Sequence, residues 1–138
     1  MPSSGQDSSG AQTVPAISGT PVAFIHVGDR QRALAFYGET LGLTLHSSDG
    51  FGDFLAAEGA LIRLTALPDF KAGAHPVFGW HVPDIAAAVR TLRERGVVFT
   101  IYEGFGQDEL GIWTAPDGVA KVAWFADPDG NVLSLSQA

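Results

Sequence analysis

The chain has 138 residues, of which 46% are hydrophobic and 17% charged, with no cysteine and a net charge of −7. Such a composition makes a globular chain with a core of its own rather than a disordered one, and 15 acidic against 8 basic residues exclude the basic face of a nucleic-acid binder. Without cysteine there are no disulfides or thiolate metal sites, which suits a reducing, cytoplasmic setting. No apolar run approaches the roughly 18 residues of a membrane span, and the N-terminus lacks the basic-then-apolar order of a secretory signal.

Residues 1–19 are rich in Ser and Gly and carry no periodicity, so a flexible leader is expected. From Pro21 the pattern becomes regular. Val22 to Val27 is an apolar run suited to a buried strand. Asp29 can cap a helix whose inner face is Ala33, Phe36, Tyr37 and Leu41, with Gly42 at its end. Leu43 to Ser48, Phe51 to Ala57 and Ala60 to Ala66 then read as strands, joined by turns at Asp49-Gly50 and Glu58-Gly59. Residues 67–75 read as a linker.

The same order then recurs. Val77 to Val82 is a strand, Asp84 a cap, and Ile85, Ala88, Val89 and Leu92 an apolar helical stripe ending at Gly96. A shift of 55 positions lays His26-Val27-x-Asp29 on His81-Val82-x-Asp84 and Ala33 on Ala88. Matched caps at a fixed offset mark two copies of one module. The copies span residues 20–66 and 76–138. Val97 to Tyr102 is expected to be the second copy's next strand, and residues 103–118 an inserted hairpin or flap turning at Pro116-Asp117-Gly118. Val119 to Ala126 and Val132 to Ser136 close the chain around the turn Asp127-Pro128-Asp129-Gly130-Asn131, a strong hairpin signal.

Three phrases at this spacing, Val27-Gly28-Asp29 with Phe36-Tyr37 and Leu41-Gly42-Leu43, Val82-Pro83-Asp84 with Arg95-Gly96-Val97, and Phe125 through Asn131, resemble the vicinal oxygen chelate superfamily of glyoxalases, bleomycin resistance proteins and extradiol dioxygenases. The resemblance covers residues 21–136. It implies an α+β fold of two βαβββ modules, their curled mixed sheet surrounding a shared cavity, helices outside, and a homodimer.

Metal-using relatives place His, Gln or Glu at four points, which here are Val22, Arg63, Val77 and Ser134. Two aliphatic groups, a cation and a hydroxyl cannot hold a divalent ion. The resemblance therefore implies a member with no metal and no cofactor. His26 and His81, related by the repeat, are the other conceivable ligands; two histidines without a carboxylate make a poor site. His46 and His75 read as surface residues.

Strand alternation assigns the faces. Phe24, His26, Leu61, Arg63, His81, Trp124 and Ser134 point into the cavity with Val22, Val77 and Val132, which is the make-up of a small-molecule pocket: apolar walls and a few polar points. Trp113 and Phe105 on the flap are candidate lids. An inward Arg63 would select an anionic or carbonyl-bearing ligand. Asp127 and Asp129 look like paired carboxylates but sit in a turn where they can bond their own backbone. The expected function is metal-free sequestration of a planar or amphipathic ligand. Enzyme status is open: an isomerase or lyase using His26 or His81 as acid or base with Arg63 polarising a carbonyl is the alternative. A metal-dependent lactoylglutathione lyase or dioxygenase fits least. The partners expected are a small molecule and a second copy of the chain, with neither nucleic acid nor membrane.

Overall fold

In the computed structural model, residues 14 and 16–138 are described, so most of the leader expected at 1–19 lies outside the described residues. The first module is β1 (Val22–Val27), helix α1 (Arg30–Leu34) continuing as a π-helical segment (Ala35–Thr40), β2 (Thr44–Ser48), β3 (Gly52–Ala57) and β4 (Ala60–Ala66). The second is β5 (Pro76–His81), α2 (Ile85–Glu94), β6 (Trp113–Thr114), β7 (Lys121–Ala126) and β8 (Val132–Gln137). The strands form two four-stranded mixed sheets of matching order, β1-β4-β3-β2 and β5-β8-β7-β6. In each, the first strand lies parallel to the last and the other pairs are antiparallel. The fold is α+β, built from two βαβββ modules.

The offset of 55 survives in the atoms. Asp29 Oδ1 accepts from Arg32 N at 3.1 Å, and Asp84 Oδ1 accepts from Ala87 N at 3.1 Å. Each cap satisfies one of the orphan N–H groups of a helix start. Gly42 and Gly96, at φ +81° and +91°, end the two helices in the left-handed conformation that glycine adopts without strain. Between Phe36 and Leu41 the first helix widens, with Leu41 N donating to Phe36 O at 2.9 Å. A five-residue step between apolar side chains is what such a turn accommodates.

One core serves both modules. Ile25, Val27, Leu55, Ile62 and Leu64 from the first sheet join Ala123, Phe125, Leu133 and Leu135 from the second, around Tyr37 and Val89 of the helices. The period-two alternation on β1, β4, β7 and β8 is therefore read correctly from sequence: one face is buried with the helices and the other is left more exposed.

The segment Val97 to Tyr102 departs from expectation. It is not a strand; Phe99 alone bridges to Phe125, and Thr100 N donates to Trp124 O at 2.7 Å. The place of the expected strand in the sheet is taken by Trp113–Thr114, which pairs with Val122 and Lys121. The hairpin around Pro116–Gly118 is present but short. Gln107 explains why 97–112 stays irregular. Its Oε1 accepts from Tyr102 N (2.7 Å) while its Nε2 donates to Thr100 O (2.9 Å) and Gly111 O (2.8 Å). A side chain thus satisfies backbone groups that a ladder would otherwise use.

Candidate functional site

The faces opposite the core carry the residues singled out from sequence. On the first sheet, register sets Phe24, Arg63, Phe54 and Ser47 in one transverse row, with Val22, Leu61 and Ala56 beside it. On the second, Gly79, Ser134 and Trp124 form a row, and His81, Ser136, Val122 and Trp113 the next. These faces are open in the single chain: Phe24 is 66% exposed and Val77 44%. Both are large apolar side chains left in water on these faces.

Each polar point has a definable state. Arg63 is inward but not free. Its Nη1 and Nη2 donate to Asp49 Oδ2 and Oδ1 at 3.0 and 3.2 Å, and its guanidinium lies over the Phe54 ring at 4.8 Å. Asp49 also accepts from Phe51 N and Gly52 N, and the Arg63 guanidinium first, then these backbone amides, bring its carboxyl down to about 2. Arg30 anchors that hairpin from α1, donating to Asp53 through Nε and Nη2 and to the Asp49 and Gly52 carbonyls. Asp53 is buried, takes a further bond from Ser48 Oγ, and is held below the ordinary carboxylate range chiefly by Arg30. His26 is exposed, its ring 5.9 Å from Phe70 of the linker. His81 Nδ1 lies 3.4 Å from Ser136 Oγ. Ser134 Oγ has no hydrogen-bond partner among the described residues, and its side chain is half-buried. Trp124 sits in an aromatic cluster, edge-on to Tyr102 (5.4 Å) and Phe105 (5.9 Å). Trp113 is half-buried on β6, while Phe105 lies on the preceding loop, half-exposed. His46 and His75 are exposed.

Because Asp49 is depressed in the folded state, its contribution is fully present above the ordinary carboxylate value of 3.8 and is lost as the pH falls toward 2. Acidification to pH 4 is therefore expected to leave the Arg63–Asp49 pair intact. The Asp49 carboxyl carbon shift in an NMR pH titration checks this; a midpoint at 3.8 or above would contradict it.

The closing turn behaves differently from its sequence reading. Asp127 does bond its own turn, accepting from Asp129 N and Asn131 N at 2.9 Å each, but it also takes the Tyr37 hydroxyl at 2.7 Å and Asn131 Nδ2 at 2.8 Å. Burial first, then the Asp127 charge, push the Tyr37 hydroxyl up, keeping it a donor. Asp129 reaches across to the first module, where Oδ1 accepts from Gly28 N (3.0 Å) and Arg32 Nη2 (2.8 Å). A Cβ on Gly28 would press on that oxygen, which accounts for the glycine. Asn131 Nδ2 also donates to His26 O at 2.9 Å. The turn is a latch between modules, and it fixes the backbone of a candidate site residue.

Sequence reasoning missed Asp49, Phe54, Phe70 and Tyr102. Asp49 was legible only as a turn former, and the other three touch the site through register or loop packing that no local pattern encodes.

Of the four positions where metal-using relatives carry ligands, Val22 and Val77 offer alkyl groups, Arg63 a cation engaged by Asp49, and Ser134 a lone hydroxyl. That set does not fit a divalent ion. Among the described residues no three His, Asp or Glu side chains converge to hold one. No helix among them is long and apolar enough to cross a membrane.

Two paired βαβββ modules with open inner faces define the fold. The chain belongs to the Glyoxalase/Bleomycin resistance protein/Dioxygenase superfamily, whose family model matches residues 20–135. No curated protein matches it. Among solved structures it is similar to a member of this superfamily from Sphaerobacter thermophilus, at 27% identity over 88% of this chain and 98% of the other, with a TM-score of 0.67. It is also similar to an antibiotic binding protein from Streptomyces sp. CB03234, at 27% identity over 90% of this chain and 98% of the other, TM-score 0.61. A glyoxalase/bleomycin resistance protein/dioxygenase from Alicyclobacillus acidocaldarius, 19% identical over 86% and 90%, superposes with a TM-score of 0.68.

Proposed function

We propose that the protein binds a planar or amphipathic small molecule on the inner faces of its sheets, without a metal, and that a second copy of the chain helps to cover the site. The observation that carries this reading is the open face itself. Phe24, Val22, Val77, Trp124 and Trp113 form apolar walls, and only a few polar groups interrupt them. Exposed Phe24 and Val77 are costly in water and gain from being covered, whether by ligand or by a second chain. The similarity to an antibiotic binding protein over nearly its whole length supports the same class of ligand. Acid–base catalysis by His26 or His81 with Arg63 polarising a carbonyl is less well supported, since Asp49 already holds both terminal nitrogens of Arg63.

The test is a thermal-shift and Trp-fluorescence screen of aromatic antibiotics and small carbonyl acids, with and without a chelator. A ligand at a hundredfold excess over its Kd stabilises the fold by about 2.7 kcal/mol, a shift of several degrees. The shift is expected to be indifferent to the chelator. A stoichiometric divalent ion in the purified protein, with binding lost on its removal, would overturn the metal-free reading.

A further inference from the structure

Opposite the open faces, on the helix side of the second sheet, lies an apolar groove of about 350 Å³, within the size range of small-molecule sites. Buried Phe125 and Leu135 lie at its base, Trp80 and Val82 line it at the end of β5, and Leu41 and Leu43 join from the first module. Helix α2 supplies the remaining side. Its Ile85 and Val89 are buried in the core, while Ala88, Leu92 and Arg95, at steps of four and three residues, turn a second stripe to the groove. Arg95 is the one charged residue among the described residues that line it. Its Nη1 donates to Thr40 O at 3.0 Å, which ties the guanidinium to the first module. Among the described residues no carboxylate pairs with it, and its other N–H groups have no partner. Half-covered leucines thus meet an unpaired cation, on a chain whose net charge is −7.

We propose that this groove binds a free amphipathic carboxylate, such as a medium-chain fatty acid, with its hydrocarbon along Leu41, Leu92 and Trp80 and its carboxylate on Arg95. The site is separate from the inner faces and does not depend on what binds there. Covering the half-buried leucines removes apolar surface from water. The planar guanidinium, with most of its N–H donors unused, matches the two oxygens of a carboxylate. A second copy seated through the same groove would instead bring two Arg95 cations together.

Octanoate, 1-octanol and octylammonium share one hydrocarbon chain and differ in the head group, so titrating each into labelled protein separates the outcomes. The indole N–H resonance of Trp80 reports on the groove, and those of Trp113 and Trp124 report on the inner face. Octanoate is expected to shift Trp80 and to bind about two- to fivefold more tightly than octanol, the range of an exposed ion pair. Octylammonium should be weakest, despite the acidic chain. In Arg95→Gln, octanoate should fall to the level of octanol, and octanol itself should not change. Ala88→Leu, a good helix former that fills the groove, should weaken octanoate and octanol alike. Equal binding of octanoate and octanol by the unaltered protein, tightest binding by octylammonium, or no shift at Trp80 overturns the proposal. So does a Trp80 resonance that moves on dilution of the protein alone, which would place a second copy in the groove.

Discussion

Replacing Asp127 with alanine is expected to destabilise the protein by about 3–5 kcal/mol, because a buried carboxylate that satisfies several donors is removed and those donors stay behind. Asp127 is 5% exposed and accepts from Tyr37, Asn131 and two turn amides. Tyr37→Phe removes one donor and should cost about 1.5–3 kcal/mol, the range for a bond to a charged group. The double variant should lose less than the sum of the two, since each single change strands the other's partner. Urea unfolding of the four proteins measures the cycle. Strict additivity would mean that the hydroxyl–carboxylate contact does not couple the modules. Because Asn131 also holds the His26 carbonyl, the Asp127 variant should perturb the first strand's inner face, visible as shifts at His26 in a heteronuclear spectrum.

Phe125→Ala is expected to cost about 3–5 kcal/mol, the range for a buried aromatic truncated to alanine. Phe125 is fully buried on β7, with ring centroids 5.3 Å from Phe99 and 6.4 Å from Phe36. It also lines an open groove of about 350 Å³ with Leu41, Leu43, Trp80 and Leu135. Its neighbour in sequence makes the contrast. Trp124 is half-buried on the opposite face, so Trp124→Ala should cost only about 1–2 kcal/mol in stability, while ligand binding is lost. If the two variants showed the reverse pattern, the assignment of core face and binding face would be wrong. Set against a total stability of about 5–15 kcal/mol for a domain, either Phe125→Ala or Asp127→Ala could leave little folded protein at elevated temperature.

How much of this was legible beforehand depended on whether the signal was local. The two-residue alternation on β1, β4, β7 and β8, the Asp29 and Asp84 caps and the terminating Gly42 and Gly96 are properties of neighbouring residues, and the structure has them where the sequence places them. The repeat at an offset of 55 supplied the two modules, because each copy must bury the same helix face. Val97 to Tyr102 was misread for the same reason: its apolar residues suit a strand, but Gln107 captures the backbone groups that pairing would need.

The amino-acid sequence by itself determined the family, the two modules, the faces of the strands and the absence of metal-binding side chains at Val22, Arg63, Val77 and Ser134. Those follow from periodicity and residue chemistry, which act over a few positions. Tertiary structure alone decided that Arg63 is neutralised by Asp49, that Phe70 meets His26, and that Asp127, Asp129 and Asn131 latch one module to the other. Each of these joins residues across strand register or across the module boundary. Charge and hydrogen-bond capacity are written in the chain, but which partner consumes them depends on distances that only the folded backbone sets.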